Sequence, residues 1–399
     1  MTGATIDHLV SMTVFLAAIL LFVGLFNQTI QTAISYQRHR SIANKCSDLL
    51  DTILLSPGTP DNWGENGQTP TSFGLQEPEF SQYRLSAFSL MRLNSALGSP
   101  VFYSKTGLYY SNATVSAGVS LLVAYNETVN YTTVSNLLGI NGTYGFSFAA
   151  TPTVEVQVSQ MQQNPLTLSV YVSGAGFPLA NADVSYVIVT IGNGQQYPTY
   201  NATYGTGNTN SQGSLTVSFP GINGGDGYLF LASARINGLV GIGYIRQTTS
   251  DIYPISLIED FGSDKVLLAH SSDIVGGSPA EITYNATFIL LARDFTFRDL
   301  QLTNATGLLN SGEGQPPKEL TLPMYDPGIL IVTFRKSANE HGIVMMPWGV
   351  SSLAFPVAFG DNSTQKEWVA TEIREVIVDN IAYQVKLALW SLEGYQVVG

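Results

Sequence analysis

The sequence is short of charge, cysteine and histidine. Only 12% of its 399 residues are Asp, Glu, Lys or Arg, where about a quarter is usual in soluble globular domains. The 17 basic and 29 acidic residues leave a formal net charge of −12, which excludes a basic nucleic-acid footprint. Cys46 is the single cysteine, so neither an intrachain disulfide nor a cysteine-based zinc site can form. The four histidines, His8, His39, His270 and His341, are too few for a His-rich metal centre. No G-x-S-x-G elbow, H-E-x-x-H pair, P-loop or G-x-G-x-x-G turn occurs, so none of those hydrolase, metalloprotease or nucleotide-binding signatures is present.

What remains is ample for folding. Hydrophobic residues make up 45% of the chain, enough to bury cores in two or three domains. With so little charge, the surface must be made polar by Ser, Thr, Asn, Gln, Gly and the 20 tyrosines. That palette suits outward-facing β proteins.

Leu9 to Phe26 (LVSMTVFLAAILLFVGLF) carries no charge and is near the lower length limit for a membrane-spanning helix. No Lys or Arg precedes it, and no small-x-small site closely follows it. An uncleaved or minimally trimmed anchor is therefore expected rather than a removed signal. Arg38, Arg40 and Lys45 follow the run, and positive-inside counting would keep the body in the cytoplasm. The composition and the eight N-x-S/T sequons beyond the N-terminal helix point outward instead: Asn112, Asn126, Asn130, Asn141, Asn201, Asn285, Asn304 and Asn362. Long domains translocate largely regardless of flanking charge, so the outward orientation with N-linked glycans is the expectation.

Past the membrane, Ile42, Cys46, Leu49, Leu50 and Ile53 recur at three- and four-residue spacing, one apolar face of a continuing helix. Ser56-Pro57-Gly58 ends it. Four segments follow from the patterning. Residues 1–57 form the transmembrane and stalk helix; 58–152 mix helical and strand signals, as a small α+β head module would. Residues 153–250 alternate apolar and polar residues through Val154–Val158, Leu166–Val172 and Leu215–Phe219. The turn Asn237-Gly238 joins two further strands, a strong hairpin signal. An antiparallel β-sandwich is expected there. Residues 251–399 read as a C-terminal β-rich domain, with Leu308 to Pro323 loop-like and Val376 to Leu389 one strand. A further arrangement joins 58–152 and 251–399 as one discontinuous head with the sandwich inserted. The fold class is thus mainly β: a long N-terminal transmembrane helix, then antiparallel Ig-like sandwich domains with a small α+β module.

Three stretches resemble archaeal pilin-like, membrane-anchored surface proteins. They are the helix end Asp48-Leu-Leu-Asp-Thr-Ile-Leu-Leu-Ser-Pro-Gly-Thr-Pro-Asp-Asn-Trp-Gly64, the segment Asn130 to Phe146, and the C-terminal Arg374 to Trp390. Pro178 to Val184 and Asn210 to Val217 look like bacterial Ig-like and carboxypeptidase-regulatory-like sandwiches. The resemblance implies a cell-surface filament subunit or adhesion component, with self-assembly or other pilin-like subunits as partners. It also implies trimming after a small residue, here Gly3 or Ala4, giving a mature start at Ala4 or Thr5.

Local candidates for chemistry are few. Ala269-His-Ser-Ser-Asp273 holds the residue types of a Ser-His-Asp triad, but neighbours on one segment rarely adopt its geometry. His341 falls at a hairpin tip. Asn223-Gly-Gly-Asp-Gly227 offers oxygens with one carboxylate, too few for a calcium loop. Glu259-Asp260 reads as a solvated acidic face. The Tyr-rich Gln195 to Tyr204 offers rigid contact area for a glycan or partner. No catalytic, cofactor or metal residue is expected. A membrane-anchored sensor or accessory binding subunit is the second functional class.

Overall fold

The computed structural model describes residues 2–78, 82–93, 97–116, 119–192, 197–248, 253–275, 280–292, 294–302, 306–311, 314–323, 326–337, 339–361, 366 and 368–392. The chain is mainly β, with 48% of the described residues in strands and 23% in helices.

Helix α1 (Thr2–Leu55) runs unbroken for 54 residues, about 80 Å at 1.5 Å per residue. From Ile42 onward it is keyed into the body: Ile42, Cys46, Leu49, Leu50, Ile53 and Leu54 are buried in the main core. Its last turn is closed from outside, because the amides of Leu75 and Gln76 donate to the Ile53 and Ser56 carbonyls, acceptors that a helix end leaves open. Gly58 takes the left-handed φ of +85° just past the helix, as a chain reversing there requires.

The stretch 58–152 contains β1 (Arg84–Leu85), α2 (Ala87–Leu93), β2 (Leu97–Tyr103), β3 (Leu108–Ser116), β4 (Val119–Ala124), α3 (Tyr131–Leu137) and β5 (Tyr144–Pro152). The next segment supplies β6 (Val154–Gln162), β7 (Leu166–Gly174), β8 (Phe177–Pro178), β9 (Asp183–Gly192), β10 (Thr199–Asn208), β11 (Ser214–Phe219), β12 (Tyr228–Ile236) and β13 (Leu239–Gln247). The remainder begins with β14 (Pro254–Ile258), β15 (Lys265–His270), α4 (Ser272–Val275), β16 (Ile282–Leu291), β17 (Phe297–Gln301), β18 (Gly307–Leu309) and β19 (Lys318–Thr321). It ends with β20 (Gly328–Arg335), β21 (His341–Trp348), β22 (Val357–Gly360), β23 (Ala370–Val378) and β24 (Ile381–Ser391).

The α+β stretch closes no sheet of its own. A five-stranded sheet runs β1-β23-β24-β5-β22, and an 11-stranded sheet places β4 between β21 and β14 with the β2–β3 hairpin attached to β4. Both sheets draw on residues from before and after the sandwich. The five-stranded sheet lies on the buried half of α1, where the Cys46 thiol donates to the Leu387 carbonyl at 3.5 Å. Two strand expectations also change. Leu308 to Pro323 holds β18 and β19, and Val376 to Leu389 is a hairpin whose turn is Asp379-Asn380.

Residues 154–247 form two facing sheets, β10-β9-β12-β13 and β11-β7-β6. Leu168, Val170 and Val172 of β7 meet Val184 and Ile188 of β9 and Phe230 and Ala232 of β12 between them. This is the order of an Ig-like sandwich whose fourth strand has moved to pair with the third. One side is closed by glycine: a Cβ on Gly241 of β13 would lie 2.5 Å from the Val154 carbonyl of β6. The outer face of the β9-β12-β13 sheet is not free. Val187, Val189, Leu229, Leu231, Val240 and Ile242 are buried in the main core of the molecule, so β12 is apolar on both faces, as strands covered on two sides are.

Candidate functional site: the exposed half of helix α1

The one helix long and apolar enough to cross a membrane, among the described residues, is α1. Its best 18-residue window has a mean hydropathy of 2.7 and is wholly exposed. Leu20, Phe22 and Leu25 have no cover from the body. Of the two hydroxyl residues within Leu9 to Phe26, Ser11 and Thr13, the deeper one, Thr13, donates to the Leu9 carbonyl at 2.8 Å, which suits a helix that must satisfy its own polar groups in lipid.

Above Phe26 the helix changes character before it reaches the body. Thr29 and Thr32 donate back to Leu25 and Gln28, and residues 27–34 are exposed. At about 100° per residue, Phe26, Ile30, Ala33 and Ile34 fall on the side away from Ile42, Cys46 and Leu50. The stalk thus turns an apolar stripe away from the body it carries. Where α1 enters the body, the His39 and Trp368 rings lie 3.9 Å apart. No acidic residue lies between Asp7 and Asp48, whereas Arg38, Arg40 and Lys45 do. Gly3, Ala4 and Thr5 lie in the first turns of α1.

The sequons fall into groups. Asn126, Asn130, Asn141 and Asn201 are exposed, and Asn285 of β16 is half-buried. The Asn130 side chain caps α3 by accepting from the Thr133 amide. Asn112 lies in β3; Asn304 and Asn362 lie outside the described residues.

The candidates for chemistry resolve differently. Ser272 Oγ is 2.7 Å from His270 Nδ1, and the Nε2 of that ring meets the Ala280 carbonyl at 2.7 Å. Asp273 does not orient the imidazole; it accepts from Ser311 and pairs with Lys105. The geometry is a linear network, not a triad. Burial holds the His270 pKa below its ordinary value. His341 meets the backbone carbonyl of Asp226 at 2.5 Å, so the hairpin tip and the Asn223–Gly227 loop are structural partners. The loop's Asn223 side-chain Oδ1 accepts from the Gly225 amide. Tyr200 turns to Asp299 of β17 at 3.0 Å, which ties the sandwich edge to the neighbouring sheet. Among the described residues no group of three or more His, Cys, Asp or Glu could hold a metal.

Lys105, Ser311 and Arg92 escaped the sequence reading because their partners are distant in the chain. Arg92 is fully buried and donates to the carbonyls of Glu127, Gln68 and Gly67 at 2.7, 2.9 and 3.0 Å. Cys46 is buried, and desolvation pushes its thiol up to about 11, the signature of an inert core cysteine.

No family model matches the chain, and no curated protein matches it. Among solved structures, the native conformation of E. coli alpha-2-macroglobulin is similar at 8% identity, over 67% of this chain and 19% of that one, with a TM-score of 0.21. A likeness at that level carries no argument about fold or function.

Proposed function

We propose that this chain is a non-enzymatic, single-pass membrane-anchored cell-surface protein with a structural or adhesive role. Its β-rich body faces outward, carries N-linked glycans, and assembles with copies of itself or with other pilin-like subunits through α1. One observation carries the reading: a single unbroken helix is packed in the body at one end and wholly exposed and apolar at the other. Each Leu, Ile or Phe left in water there forgoes about 1.5–3 kcal/mol of burial, so lipid or a neighbouring helix must cover it. An apolar run with Ala17, Ala18 and Gly24 serves both environments. The exposed sequons and the scarcity of charge support the outward orientation.

Alkaline carbonate extraction combined with N-terminal sequencing of the native protein tests both parts. The expected result is a protein that stays with the membrane pellet and begins at Ala4 or Thr5. Release into the carbonate supernatant would remove the anchor. An untrimmed Met1 or Thr2 would remove the filament role and leave a tethered surface protein.

A further inference from the structure

The tip of the β2–β3 hairpin is joined to α4 by an ion pair. Lys105 Nζ lies 2.8 Å from Asp273 Oδ2, and the two side chains are only 13% and 12% exposed. The other carboxylate oxygen, Oδ1, accepts from Ser311 Oγ at 2.9 Å. Ser311 in turn accepts from Ser272 Oγ at 2.9 Å, and Ser272 abuts the nearly fully buried His270. An apolar cluster adjoins the pair, built on the fully buried Tyr103 with Ile274 and Leu267 against it. An amine and a carboxyl group are thus held in contact and largely shielded from water, with a hydroxyl donor fixed on the oxygen that does not face the amine.

We propose that Lys105 and Asp273 condense to an intramolecular isopeptide bond. Nζ gives a proton toward Oδ2 and its lone pair attacks Cγ. Charge then collects on Oδ1, where the Ser311 hydroxyl already donates. The Cγ–Oδ2 bond breaks, and Oδ2 leaves as water with two of the three ammonium protons. The third stays on the amide nitrogen, and Oδ1 becomes the amide carbonyl, still bonded to Ser311. Ammonium plus carboxylate gives amide plus water, so no oxidant or co-reactant is required. Proximity supplies the rate, since a fixed nucleophile and carbonyl carbon react as at a very high effective concentration.

The position gives the bond a purpose. The two residues are 168 apart in sequence, and the closed loop contains the whole sandwich. A cross-link of that span restrains the unfolded chain strongly, and with one buried cysteine the chain has no disulfide to do so. Among the described residues the β2–β3 hairpin pairs with its sheet through β4, so a tether at its tip fixes the end farthest from that pairing.

Full-length protein purified in detergent, digested with trypsin and analysed by tandem mass spectrometry, tests the bond. The expected product is a branched peptide joining the Lys105 and Asp273 segments, lighter than their sum by one water, about 18 Da, with no cleavage after Lys105. Lys105→Arg and Asp273→Ala should each abolish the branched peptide while keeping the native circular dichroism spectrum. Ser311→Ala should leave a mixture of linked and unlinked chains after the same expression time, which a purely structural serine would not produce. Should a variant fail to fold, the native digest alone decides. Separate, unmodified Lys105 and Asp273 peptides from native protein would overturn the proposal and leave an ion pair.

Discussion

The Arg92 guanidinium sits 5.2 Å from the centroid of the Trp63 ring and donates to the Trp63 backbone carbonyl. One buried cation therefore organises the loop that follows α1, stacking on its tryptophan and capturing the carbonyls around it. Burial lowers its pKa to about 10, so it stays charged at neutral pH.

Removing that cation strands the buried Trp63 carbonyl and three part-buried ones at once. Arg92→Ala should lower the unfolding free energy by about 3–5 kcal/mol, measured by denaturant titration in detergent. Arg92→Lys should recover less than half of the loss, because an ammonium cannot present the forked donors that reach Glu127, Gln68 and Gly67 together. A silent Arg92→Ala would show that water replaces the guanidinium.

Asp379 should make stability depend on pH. It occupies the β23–β24 turn with a φ of +55°. Burial, followed by the nearby Glu77 charge, raises its pKa from 3.8 to about 6. Across that window the folded chain binds more protons than the unfolded one, so stability falls as pH rises from about 4 to about 6 and levels off above. Asp379→Asn keeps the turn geometry, since Asn also tolerates the left-handed region. It should flatten that slope and raise stability at pH 7 by at most about 3 kcal/mol. Melts of both proteins at pH 4, 5, 6 and 7 check this; parallel pH profiles would contradict it.

The sandwich, cut out as residues 153–248, should fold but not stay monomeric. Excision uncovers Val187, Val189, Leu229, Leu231, Val240 and Ile242, which the rest of the molecule buries. Size-exclusion chromatography should show self-association, relieved by Thr at Val187, Leu229, Leu231 and Val240. A monodisperse unmodified fragment would mean that this face tolerates water.

Glycan occupancy should follow exposure. Glycopeptide mapping of native protein should find modification at Asn126, Asn130, Asn141 and Asn201, and none at the half-buried Asn285, which pairs with Thr333 of β20. Asn130→Ala should in addition cost about 1 kcal/mol through the lost cap of α3. Modification at Asn285 would require β16 to open.

Local order was legible in the sequence; of long-range order, the sequence offered one discontinuous head as an arrangement but not which strands pair. The spacing of Ile42, Cys46, Leu49, Leu50 and Ile53 marks the buried face of α1, and the alternation through Leu166–Val172 with the Asn237-Gly238 turn marks strands that the structure contains. The partners of β4 and β5 left no such trace. Val119 pairs with Met345 and Phe148 with Leu387, and nothing in either local pattern points so far along the chain. Tyr228 to Ala232 carried a hint, because an unbroken apolar run does not belong to a sandwich strand with one wet face. The exposed apolar run Leu9 to Phe26 was the plainest feature of all, since no folding requirement hides it.

Protease shaving of intact cells tests the central claim most directly. If α1 anchors the chain and the body lies outside, shaving releases peptides from beyond Gln37 before any lysis, while the segment Leu9 to Phe26 stays in the membrane. Peptides from the body that emerge only after the cells are broken would place it in the cytoplasm, where Arg38, Arg40 and Lys45 would satisfy the positive-inside rule, and would contradict the account.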